Sequence, residues 1–119
     1  MRYLALIYED PNRAPEPGDL DQDGVMKAYY EVTAAMQEAG VLLHGEPLQG
    51  TDTATTVRVR GPETLTTDGP FAETKEILTG YYAIDCKDLD EALAWAARIP
   101  GAWTGSVEVR PIWEMPGMG

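Results

Sequence analysis

The chain has 119 residues, one cysteine, one histidine and a formal net charge of −11. That length suits one domain able to bury a core without disulfides, and 44% hydrophobic with 24% charged residues is ordinary for a soluble globular protein. The acidic excess excludes nucleic acid, whose phosphates need a basic surface, and excludes docking on an anionic membrane. The lone Cys86 excludes an internal disulfide and any multi-cysteine zinc site.

Arg2 to Tyr8 is apolar on both parities, the pattern of a strand covered on both faces. Its apolar run is too short for a signal peptide, and no segment approaches the roughly 20 apolar residues that span a bilayer. The expected location is therefore the reducing cytoplasm. Asp10 to Gly18 holds three prolines and reads as an irregular loop. From Asp21 a helix is predicted, with Val25, Tyr29, Val32 and Met36 on one face and Gly40 as its left-handed stop.

Val41 to Leu48 reads as a strand interrupted at Gly45 and Pro47. Thr55 to Arg60 alternates valine and arginine, Glu63 to Thr67 is a second short strand, and Asp68-Gly69 is the turn after it. Ile77 to Cys86 is the next strand. Asp88 and Glu91 then start a second helix, stopped at Pro100, in a pairing like a capping box. Ser106 to Trp113 is the last strand, and the tail from Met115 is expected to fray.

This order predicts an α+β fold, a ferredoxin-like antiparallel sheet with two helices on one face. The other face is the difficulty. Tyr3 or Leu4, Tyr81 or Tyr82, and the residues around Trp113 present more apolar area than water tolerates. A homodimer through the sheet face is the simplest cover.

The opening YLALIY, then AGVLLHGEPL, TTVRVR, TDGPFAETKE, GYYAID, DLDEALAWAARIP and GSVEVRPIWE together resemble the DGPF branch of the YCII-related family. The resemblance runs nearly end to end and implies a dimeric α+β barrel. It also implies a His–Asp pair in a pocket between sheet and helices, but those positions fall on Tyr29 and Ile99 here. An acid–base mechanism resting on that pair is not carried over. DGPF-domain proteins further resemble companions of extracytoplasmic-function sigma factors, which makes a sigma-factor-linked protein a possible partner.

Five residues are candidates for chemistry. Asp68 sits on a turn with Gly69, Pro70 and Phe71, where Phe71 is expected to plug the core and Asp68 either caps the turn or serves as a pocket carboxylate. Glu73 and Lys75 share a parity if extended, and then both point into one cleft; otherwise they are a solvated charge run. His44 with Glu46 is either an ordinary satisfied histidine or a base oriented by a carboxylate. Tyr29 carries a hydroxyl at the family's histidine position. Arg58, Arg60 and Arg110 either protect sheet edges or hold a small anion.

Cys86 reads as a buried, inert thiol. No cofactor motif is present: there is no glycine-rich phosphate loop, nucleophile elbow or dinucleotide fingerprint. The expected activity is binding or transforming a small anionic molecule in a pocket edged by the DGPF turn, lyase- or isomerase-like by fold analogy if enzymatic. The alternative is a non-catalytic accessory protein.

Overall fold

The computed structural model describes residues 1–117. The outermost part of the tail expected to fray, Met118 and Gly119, lies outside the described residues. The chain forms β1 (Arg2–Glu9), α1 (Gln22–Glu38), β2 (Leu42–Pro47), β3 (Thr55–Arg60), β4 (Glu63–Asp68), β5 (Ile77–Asp85), α2 (Leu89–Ala96), α3 (Gly101–Thr104) and β6 (Ser106–Pro111). The expected elements are all present, together with two unpredicted ones: a 3₁₀ turn at Thr51–Thr53 and α3.

Local chemistry explains where α1 starts and stops. The Asp21 carboxylate accepts the Gly24 N–H at 2.8 Å, occupying one of the first-turn donors that lack an intrahelical partner. At the other end Gly40 takes φ of 74°. The Val41 N–H then donates to the Met36 carbonyl and the Gly40 N–H to the Gln37 carbonyl, both at 3.0 Å, which is a Schellman closure. Asp88 caps α2 in the same way, accepting the Glu91 N–H at 2.9 Å.

β2, β5, β1 and β6 lie in that order, every pair antiparallel. With the β3–β4 ribbon set aside as an insertion, the first and third strands are central and the second and fourth are edges, the ferredoxin-like order. Tyr3, Ala5 and Ile7 on β1 and Tyr82 and Ile84 on β5 join Val32 and Met36 of α1, Ala92 of α2 and Ile99 in one buried cluster. Both helices therefore lie over the same face of the sheet. Leu4, Leu6, Tyr8, Leu78 and Tyr81 occupy the opposite parity and are only half-buried.

β3 and β4 form a separate two-stranded ribbon, an arm that stands away from the core. Gly61 (φ 59°) begins its tip turn, so the Asp68-Gly69 pair lies at the arm's base and not at its tip. There the Gly69 N–H donates to the Ala54 carbonyl at 2.7 Å and the Thr56 hydroxyl to the Gly69 carbonyl at 2.9 Å. Phe71 departs from expectation. It is 79% exposed, because the chain leaving the arm runs irregularly outside the core and offers no pocket to fill.

Gly40 gives a clean measure of backbone strain, since an added Cβ would meet nothing within 4 Å. Gly40→Ala is expected to cost about 1–2 kcal/mol, the left-handed penalty alone, in urea unfolding. A cost near zero would show that the Schellman turn can be rebuilt without a left-handed residue.

Candidate functional site

A cleft of about 580 Å³ opens on the helix side of the sheet, between the N-terminal half of α1 and strands β1, β5 and β2. Val25, Met26 and Tyr29 of α1 form one wall, Ile7 and Glu9 the floor, and Gly45, Pro47, Thr79 and Gly80 the far rim. The rim exists because two glycines face each other diagonally across neighbouring strands. A Cβ on Gly45 would come within 2.8 Å of both the Tyr82 ring and the Tyr81 carbonyl, and one on Gly80 within 3.0 Å of the Glu46 carbonyl. Glycine here permits close backbone approach.

The polar groups of the cleft are few and held in place. Glu9 is aimed by a bulge between Ile7 and Tyr8, where Thr79 is the extra residue of β5. Its carboxylate accepts from the Thr79 hydroxyl at 3.4 Å and from the Thr104 hydroxyl at 3.3 Å. Across the cleft the Tyr82 and Thr33 hydroxyls share a hydrogen bond of 2.7 Å that ties α1 to β5.

Tyr29 lies against Gly101, the first residue of α3, where a Cβ would sit 3.0 Å from the Tyr29 hydroxyl and overlap Ile7. Burial pushes the Tyr29 hydroxyl pKa up to about 12, the Glu9 charge adds to the effect, and the Gly101 N–H partly offsets it. Among the described residues no Lys or Arg lines this cleft.

Tyr29 is thus in the cleft, and the other four sequence candidates are elsewhere. His44 projects from the opposite face of the sheet, where its Nδ1 is 3.3 Å from the Tyr81 hydroxyl and the two rings meet edge-to-face. Its partner is Tyr81, not Glu46. Asp68 ends β4 at the base of the arm, exposed. Glu73 and Lys75 follow in an irregular exposed stretch, so the same-parity argument for a shared cleft does not hold. One chain does not bring Asp68, Glu73, Lys75 and Tyr29 into a single pocket.

Arg110 pairs with Glu108 at 2.9 Å, while Arg58 and Arg60 point from the exposed arm. A second, shallow depression is lined by residues of α1 alone, Met26 and Tyr30 among them, and is an open helix surface. Among the described residues no three His, Cys, Asp or Glu side chains gather to hold a metal, and no helix is long and apolar enough to cross a membrane.

The pattern of the YCII-related domain matches residues 1–116. The chain belongs to the YCII-related family. It is also similar to an uncharacterized protein of Rhizobium meliloti (strain 1021), 42% identical over 114 residues that cover 94% of this chain and 92% of that protein. The resemblance assigns a His–Asp pair to positions that are Tyr29 and Ile99 here. Tyr29 faces the cleft, whereas Ile99 is fully buried in the core.

Glu9, Thr79 and Gly80 were not singled out from the sequence, and Gly45 was read only as a strand interruption. The signal available was the pair of glycines inside otherwise apolar strands, a mark of close backbone approach or an opening.

Two titrations follow from this environment. A buried phenol keeps its proton to higher pH than an unfolded tyrosine near 10, so the stability from neutral Tyr29 is full below pH 10 and is lost as pH rises towards about 12. Alkaline absorbance titration should show one late tyrosine that disappears in Tyr29→Phe; a titration curve unchanged by the substitution would contradict the assignment. Cys86 is 2% exposed, and burial, followed by its hydrogen bond to Glu91, pushes its thiol up to about 11. It should react with a thiol reagent near neutral pH only as fast as the protein unfolds; rapid labelling of the native chain would show an accessible thiolate.

Proposed function

We propose that this YCII-related protein binds a small organic molecule in the Tyr29 cleft, acting in the cytoplasm as a homodimer whose sheets pack face to face in an α+β barrel. The single observation that carries the ligand reading is the cleft itself. It is mostly apolar, has one aimed carboxylate, and meets the usual description of a small-molecule site: a concave apolar cavity of several hundred Å³ with a few convergent polar groups. The half-buried row of Leu4, Leu6, Tyr8 and Tyr81 supports the dimer, since a sheet covered by helices on one side needs a second layer on the other. The unpaired, buried thiol of Cys86 is consistent with a reducing compartment.

The lining changes the expected chemistry of the ligand. An anion would meet Glu9 with no cation beside it, at a cost in a partly desolvated site. A neutral ring compound carrying a hydroxyl or amine fits better. Its ring would lie against Val25, Met26 and Ile7 while its donor meets the Glu9 carboxylate and its acceptor the Tyr29 hydroxyl.

A thermal-shift screen of hydroxylated and amino ring compounds tests this. A ligand at ten times its Kd adds about 1.4 kcal/mol, enough to raise the Tm of a chain this size by several degrees. The shift should be reduced in Tyr29→Phe and Glu9→Gln and retained in Lys75→Ala. A shift lost in Lys75→Ala but kept in Tyr29→Phe would move the site to the arm. A screen without any hit would overturn the ligand reading and leave the accessory-protein alternative.

A further inference from the structure

The chain is larger than its mass accounts for. Its radius of gyration is 16.5 Å, against about 13–14 Å for a compact domain of this length. Its accessible surface is 8508 Å², against about 6,300 Å² for a compact monomer of this mass. The excess of about 2,000 Å² is on the scale of a stable protein–protein interface. The arm and the residues just after it contribute to this surface. Val57, Val59, Leu65 and Phe71 are 61%, 62%, 45% and 79% exposed, and a lone two-stranded ribbon is marginal in water unless something packs on it.

Charge says what that something is. Arg2, Arg13, Lys27 and Arg110 are each ion-paired within the chain, and Arg98 stacks on Trp95. Arg58 and Arg60, side by side on one face of the arm, form no ion pair among the described residues, although the chain carries a net charge of −11. Across the ribbon Arg58 faces Leu65 and Arg60 faces Glu63, which form no ion pair, while Val57 and Val59 line the other face. The arm as a whole is neutral, with Arg58 and Arg60 against Glu63 and Asp68, but its two guanidinium groups stand together on one face and are complementary to the carboxylates of another copy's acidic body.

We propose that the β3–β4 arm clasps a second copy of this chain, with Arg58 and Arg60 pairing with carboxylates of the partner's body and Phe71 packing against it. This inference rests on the homodimer reading and adds to it. Sheet-face packing alone leaves the arm unpartnered, whereas a two-fold clasp covers both arms at once.

The test uses the full chain. Sedimentation of Arg58→Glu/Arg60→Glu should show a dimer weakened about tenfold or more, as for charge reversal at complementary interfaces, with an unchanged far-ultraviolet circular dichroism spectrum. Wild-type dimerisation should weaken as salt screens the pairs. In parallel, Phe71 is replaced by the photo-crosslinker p-benzoylphenylalanine, and isotope-labelled and unlabelled chains are mixed. Adducts of mixed mass that map to the other copy's body support the clasp. Adducts confined to one chain, or a dimer of undiminished affinity in the double variant, overturn it and leave the sheet-face dimer standing. A wild-type chain that sediments as a monomer overturns both.

Discussion

The structure turns on one mismatch: a four-stranded sheet has two faces, and this chain supplies helices for one. β1 shows both sides of it in successive residues. Tyr3, Ala5 and Ile7 are sealed under α1 and α2, while Leu4, Leu6 and Tyr8 remain half-open on the reverse. Everything outside the buried cluster follows from how that second side is handled. The molecule is thin, 19 Å along its shortest axis, and its insertion between the second and third sheet strands projects instead of folding back over the bare face.

The cleft arises on the covered side for a related reason. Met36 and Val32 fill the space between α1 and the sheet at the helix's C-terminal end, but towards the N-terminal end the sheet carries Gly45 and Gly80, where close backbone approach leaves no room for a side chain. The gap is bridged from the helix by Tyr29 and from the floor by Glu9. Packing alone does not require a half-buried phenol near a carboxylate in a cleft lined by no Lys or Arg among the described residues. That gives the cleft a chemical character distinct from the rest of the interior.

Elements set by local chemistry were legible in the sequence. Asp21 and Gly40 bound α1 because capping depends on neighbours in the chain, and the alternation of Thr55 to Arg60 marks a ribbon strand because strand parity is local too. What depends on long-range register was not. Pro47 opposite Gly80, and Gly80 opposite Ile7, become neighbours only when β2, β5 and β1 pair, so the cleft has no contiguous signature. Phe71 misled for the opposite reason. A lone phenylalanine in an acidic, polar stretch reads as a core plug, yet its segment never returns to the core. α3 was missed because Pro100 reads as a stop, although a proline is also a good place for a new turn to start.

On the proposed homodimer, the bare sheet face and the exposed arm are both completed by another copy of the chain. Amide hydrogen exchange followed over a dilution series measures this directly, because protection that comes from association disappears when the partner dissociates. Amides of β3 and β4 should be protected at high concentration and exchange rapidly on dilution, while those of α1 and β1 stay protected throughout. Arm amides that exchange fast at every concentration, or stay equally protected at every concentration down to an isolated chain, would contradict it.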